Sequence, residues 1–178
     1  MSVLGTVVLV IISVLAGFFI HAVIFYAKQE VKEGKPAPSF YVESLDGKRW
    51  GQKEWSRPPR PILLIFISPG CSVCRRLVRF IDDLTQEYPT ADLDIILVGI
   101  NGDRNSFSQL KKQLNTNLNL AIDVDGVSKA HYGFYSLPMV FYISGGGIIK
   151  KKIRGFRPGD DTKYRALFRK RVKKTKTH

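Results

Sequence analysis

Charge is missing from the start of this chain. Residues 2–27 contain no Asp, Glu, Lys or Arg, and a helical run of that length, at about 1.5 Å per residue, reaches across a bilayer. It exceeds the apolar core of an ordinary signal peptide, lacks a basic leader, and is followed by no small-x-small cleavage site, so residues 1–27 read as an uncleaved membrane anchor. His21 falls near its far end, at an interfacial position. Cysteine is almost absent as well: the 178 residues hold two, Cys71 and Cys74. That excludes a disulfide framework and an all-cysteine metal site, and His21, His131 and His178 show no ligand spacing to the pair or to each other. No metal and no cofactor are expected. Acidic residues are few, 15 against 28 Lys and Arg for a net +13, which leaves nucleic acid, anionic lipid and acidic proteins open as partners. Nucleic acid is disfavoured, because no binding motif is present and part of the excess lies in a C-terminal run. There is no internal repeat, and the length suits one sizeable domain with an appendage.

What is present centres on residues 61–77. Ile62, Leu63, Leu64, Ile65, Phe66 and Ile67 form a continuous apolar run that suits a strand covered on both faces, and Pro69-Gly70 cannot continue it. Cys71 then falls at the first turn of the next helix. Unpaired N–H groups and the positive end of the helix dipole favour a thiolate there, and Arg75 and Arg76 add positive charge within a turn of it. A structural disulfide is the plainer alternative, but a two-residue loop constrains little chain. The spacing reads as redox chemistry.

Taken in order, 28–36 is a charged linker, 37–170 the folded domain and 171–178 a basic tail. Phe40 to Glu43 and Asp46-Gly47-Lys48-Arg49-Trp50 predict a hairpin, with Trp50 and Trp55 as packing residues. Val73, Leu77, Phe80, Ile81 and Leu84 predict a helix that Pro89 ends. Residues 95–100 predict a second buried strand; Ser106 is the expected N-cap of a helix buried through Phe107, Leu110 and Leu114. A short strand at 118–123 ends in an Asp125-Gly126 turn, and Asp123 with Asp125 reads as turn chemistry rather than a Ca²⁺ loop. One or two helical turns at 127–132 follow. Pro138 opens a strand to Ile143, residues 148–150 return beside it, and Tyr164, Leu167, Phe168 and Val172 mark a last amphipathic helix. The basic end reads as a solvated tail or as a patch drawn to anionic headgroups.

This order resembles the thioredoxin-like α/β fold, a central mixed sheet flanked by helices, here with one N-terminal transmembrane helix. Pro36-Ala37-Pro38-Ser39-Phe40 and Asp46-Gly47-Lys48 resemble the opening of the redoxin branch that includes membrane-anchored TlpA/ResA-like thiol–disulfide oxidoreductases, and residues 66–77 resemble most the MauD proteins, accessory factors in maturation of the disulfide-rich methylamine dehydrogenase small subunit. The resemblance implies that Cys71 attacks or holds the mixed disulfide and Cys74 resolves it. It also implies that Leu137-Pro138 occupies the cis-proline position opposite the pair, where Leu137 would meet an incoming peptide. It implies a protein thiol or disulfide substrate, a redox partner and an extracytoplasmic domain, whereas the positive-inside rule applied to Lys28, Lys32 and Lys35 would leave the domain in the cytoplasm. Two departures stand out. Ile65 and Leu77 occupy positions where thioredoxin and ResA-type relatives carry a buried acid, which favours an oxidant or isomerase over a reductant.

Two other functions compete. A peroxiredoxin-type thiol peroxidase needs Pro-x-x-x-Thr/Ser-x-x-Cys, but Leu64 stands where Pro is required for Cys71, and Cys71 and Ile67 stand in the wrong places for Cys74. A Sco-type copper assembly protein would use both Cys and His131, but its Cys-x-x-x-Cys spacing is missing.

Overall fold

The computed structural model describes residues 3–50, 60–89 and 91–175, so Trp55 and Pro58-Pro59 lie outside the described residues. These residues form two units, Met1–Glu30 and Val31–His178. The first is α1, Val3–Gln29, a helix of 27 residues where the uncharged run predicts one. Among the described residues no helix is long and apolar enough to cross a membrane.

The second unit is built on a seven-stranded sheet. Its elements are β1 (Val42–Ser44), β2 (Arg49–Trp50), β3 (Ile62–Ile67), α2 (Ser72–Glu87), β4 (Asp94–Gly99), α3 (Arg104–Leu114), β5 (Asn119–Ile122), α4 (Val127–Tyr132), β6 (Met139–Ile143), β7 (Ile149–Arg154) and α5 (Asp161–Thr175). The strand order is β2-β1-β5-β4-β3-β6-β7. β3, β4 and β5 are parallel neighbours, while β6 runs antiparallel to β3. Both crossovers step the same way across the sheet, and right-handed connections therefore put α2 and α3 on one face.

Alternation along the strands then divides the core in two. Leu63, Ile65 and Ile67 face Cys74, Leu77, Val78 and Ile81 of α2, together with Phe107 of α3 and Tyr164 and Phe168 of α5. Ile62, Leu64 and Phe66 face the other way, against Phe40, Tyr132, Phe134 and Phe141. The Phe66 ring lies 4.6 Å from that of Phe134 and 5.3 Å from that of Tyr132, centre to centre. All six β3 residues are buried, which is why the run carries no polar alternation.

Several local expectations hold and several shift. The β1–β2 hairpin turns at Asp46-Gly47, with Gly47 at φ 88°, a conformation that favours glycine. The N-cap of α3 is Asp103 rather than Ser106: its carboxylate accepts the Ser106 N–H at 2.8 Å, and the helix starts three residues early. A carboxylate satisfies the orphan N–H and complements the dipole, which a hydroxyl does less well. Asp123 accepts the N–H groups of Ser128 at 3.0 Å and Lys129 at 2.8 Å, so its carboxylate anchors the start of α4. β7 extends to Arg154 through lysines that a buried strand would not tolerate but an edge strand does. α5 runs to Thr175, into the residues that composition marks as tail, because Lys and Arg are good helix formers and suit a helix C-terminus.

Candidate active site

β3 ends at Ile67, and the chain turns through Ser68-Pro69-Gly70, closed by a hydrogen bond from Cys71 N–H to Ser68 O at 3.1 Å. Cys71 is the N-cap of α2, with extended backbone at φ −87° and ψ 102°. Its Sγ accepts the Cys74 N–H at 3.1 Å, so the sulfur takes the place that a Ser or Asp oxygen holds in an ordinary cap. No acidic residue occupies the first turn of α2. The local field at Cys71 is therefore that of the helix N-terminus, unopposed by a neighbouring carboxylate within that turn.

The two sulfurs form a disulfide, with Cα atoms 5.2 Å apart. They differ sharply in surroundings. Cys71 is half-buried, between exposed Gly70 and exposed Ser72, whereas Cys74 is 1% exposed and part of the apolar cluster around α2. Ile65 and Leu77, at 0% exposure, belong to that same cluster. Among the described residues the buried carboxylates are Asp123 and Asp160. Both are engaged elsewhere, the first at α4 and the second with Arg157 N–H and Lys163. The bed beneath Cys74 is thus apolar.

Leu137-Pro138 arrives from the other side. β6 pairs antiparallel with β3, Met139 opposite Phe66, so Pro138 stands at the end of β3 from which the Cys pair emerges. The Leu137–Pro138 peptide is cis. Pro138 O accepts the Gly155 N–H at 2.8 Å, and among the described residues the Leu137 backbone makes no hydrogen bond. Leu137 and Cys71 are both partly buried against the core cluster under α2.

The two arginines part company. Arg75 reaches back to donate from Nη2 to Pro69 O at 2.9 Å, bracing the turn before Cys71. Arg76 lines a shallow hollow of about 240 Å³ with Phe156, Arg157 and Asp161. The loop carrying Phe156 and Arg157 was not singled out by sequence reasoning, although Pro158-Gly159 marks it as a turn. Phe156 stacks on Phe80 of α2 at 5.3 Å, which fixes that loop to the helix bearing the cysteines. His131 lies elsewhere: its Nδ1 contacts Ser39 O at 2.8 Å, on a helix that packs its Tyr132 on the opposite face of the sheet from Cys74. The Sco-type set is not brought together. Among the described residues no group of three or more His, Cys, Asp or Glu could hold a metal.

A family model described as AhpC/TSA matches residues 34–152, about two thirds of the sequence, from the end of the linker into β7. The chain belongs to the AhpC/TSA family. The curated proteins that it resembles include thiol–disulfide oxidoreductases. The chain is 26% identical over 149 residues to the thiol-disulfide oxidoreductase ResA of Bacillus cereus, covering 84% of this chain and 85% of that one. It is 31% identical over 126 residues to the thiol:disulfide interchange protein DsbE of Escherichia coli, covering 68% and 65%. Among solved structures, a secreted Mycobacterium tuberculosis disulfide oxidoreductase homologous to DsbE superposes with a TM-score of 0.61 at 17% identity, over 74% of this chain and 95% of that one. This AhpC/TSA-family chain has the thioredoxin-like fold and is a thiol–disulfide oxidoreductase of the TlpA/ResA type, with Cys71 and Cys74 as its Cys-x-x-Cys pair.

Proposed function

We propose that the protein is a membrane-tethered disulfide donor or isomerase for protein substrates, working outside the cytoplasm. One observation carries this: Cys71 caps α2 half-exposed, while Cys74 is sealed in an apolar bed that, among the described residues, holds no carboxylate to take its proton. Stabilising the Cys71 thiolate without a base for Cys74 favours the reduced pair and so makes the disulfide oxidising. A substrate thiolate attacks Cys71 Sγ, forming a mixed disulfide and breaking the Cys71–Cys74 bond. A second substrate thiolate then attacks its own sulfur in that mixed disulfide and releases Cys71. Two electrons pass to the enzyme, the substrate gains a disulfide, and the two substrate thiols give up their protons.

In this reading Cys71 is the attacked and attacking sulfur, Cys74 the resolving one. Arg75 and Arg76 support the thiolate, Arg75 by holding the Pro69 turn through which the helix N-terminus is presented. Leu137 offers its backbone to the substrate peptide, beside Pro138. The tether is α1, supported by the absence of charge over residues 2–27. The likeness of residues 66–77 to MauD proteins favours a role in maturing a disulfide-containing protein.

The test is the reduction potential of the pair in the full-length protein in neutral detergent, equilibrated against glutathione. A value near that of the strong oxidants, about −120 to −180 mV, is expected; one near thioredoxin, about −270 mV, would make the protein a reductant.

A further inference from the structure

The turn that presents Cys71 rests on a second loop. β4 ends at Gly99, and Ile100 N–H donates to Ile67 O at 2.9 Å, so the chain after β4 leaves the sheet beside the end of β3. Asn101 then takes φ 57°, a left-handed conformation that turns the backbone sharply, and Gly102 follows. At Gly102 the space a side chain would need is already taken. A Cβ there would lie 2.7 Å from Pro69 Cγ, well inside carbon–carbon contact, with Pro69 Cδ at 3.1 Å and Cε2 of the fully buried Phe107 at 3.0 Å. At Gly70, next to Cys71 in the chain, a Cβ would meet nothing within 4 Å. The crowded glycine is the one from the distant loop.

We infer that Gly102 is a positioning residue for Cys71: its bare backbone seats the Pro69 ring, and the seated ring holds the turn that sets Cys71 Sγ at the start of α2. This rests on the reading of Cys71 as a stabilised thiolate and names what keeps it so. Pro69 is gripped at two points. Its ring lies against Gly102, and its carbonyl accepts a hydrogen bond from Arg75 Nη2 at 2.9 Å. The ring closes on the backbone nitrogen, so it cannot swing aside as the end of a flexible side chain can, and a push on it moves the main chain. The links from there to the sulfur are few. Cys71 N–H donates to Ser68 O at 3.1 Å, and Cys74 N–H donates to Cys71 Sγ at 3.1 Å. A Cβ at position 102 therefore displaces the turn, loosens the bond to sulfur and weakens the support that the helix N-terminus gives the thiolate.

The test follows alkylation of Cys71 by iodoacetamide against pH in the reduced full-length protein, in neutral detergent, with stability measured alongside by chemical denaturation. Gly102→Ala should raise the pH midpoint by about one unit and lower the equilibrium constant for oxidation of glutathione by the Cys71–Cys74 disulfide about tenfold. Pro69→Ala, which removes the ring without adding bulk, should raise the midpoint by about half a unit. Adding Gly102→Ala to it should then shift the midpoint no further, because the ring atoms that the new methyl would strike are gone. An unmoved midpoint in Gly102→Ala would overturn the inference even where stability falls, since the glycine would then serve the fold alone. So would equal shifts from Gly102→Ala with and without the ring. Should Gly102→Ala not fold, Pro69→Ala decides: a raised midpoint supports the inference and an unmoved one overturns it. The unsubstituted protein separates the two readings. A midpoint there near the ordinary thiol value, about 8.5, would sink the thiolate reading and the inference together, whereas a low midpoint that neither substitution moves would sink the inference alone.

Discussion

β3 and β7 sit two places apart in one sheet and do opposite work. β3 is buried along all six residues and bonded on both edges, so it can export chemistry only from its end, where the chain leaves the sheet at Cys71. β7 pairs with a strand on one edge only, is partly covered on the other by residues 33–35, and carries Lys150, Lys151 and Lys152, so it presents charge along its length. A central strand aims a reactive atom; an edge strand offers a surface.

The largest effect expected is at the end of β3. Cys71→Ser should abolish exchange, while Cys74→Ser, given a disulfide-bonded substrate, should accumulate a mixed disulfide through Cys71 that is visible on non-reducing gels. In the single-cysteine proteins at neutral pH, Cys71 should alkylate at least about tenfold faster than Cys74, because one caps a helix near solvent and the other is 1% exposed. Equal rates would erase the distinction between the sulfurs.

Next comes packing. Phe66→Ala should cost about 3–5 kcal/mol in chemical denaturation, since the ring touches Tyr132, Phe134 and Phe141. Lys150→Ala on β7 should change stability by no more than about 0.5 kcal/mol. Similar losses at both would mean that the edge strand is structurally as demanding as the centre. Asp123→Ala falls between, at about 1–2 kcal/mol, because the backbone N–H groups of Ser128 and Lys129 lose their acceptor.

The smallest effect is in pH. The Lys163 ammonium and the Arg157 N–H hold the Asp160 carboxyl below its ordinary value. A carboxyl depressed on folding adds stability that is full above its unfolded pKa, about 3.9, and is lost as pH falls through the lower folded value. The contribution is about 0.5 kcal/mol, given that the Lys163 end is exposed. Asp160→Asn should lower stability by that amount near neutrality and leave it unchanged at the acid end, so that the acid limb of the profile flattens.

Much of the site was legible because its signals are local. An apolar six-residue run broken by Pro69-Gly70, then two cysteines on a helical repeat, fixes a strand, a turn and a capped helix by short-range sterics and hydrogen bonding alone. The α3 cap was misassigned to Ser106 because Asp103 and Ser106 are both good caps, and the choice depends on where the loop enters the helix. β7 looked shorter than it is, since three lysines in a row read as surface until the strand is known to lie at an edge. The loop at Phe156 and Arg157 carried only a turn signal; its place beside Arg76 follows from stacking on Phe80, a contact between distant parts of the chain.

By itself the sequence determined the uncharged helix, the strand leading into Cys71, the redox spacing of the pair and the lack of acids at positions 65 and 77. Each is set by residues near one another in the chain, through periodicity, capping and turn chemistry. Only the tertiary structure decided which sulfur is sealed, that Pro138 meets the end of β3, that Arg75 braces the turn while Arg76 faces the loop beyond β7, and that lysines from β7 and α5 share one cleft with Glu33. Those facts depend on strand order and on which face each helix covers, and no local pattern encodes either.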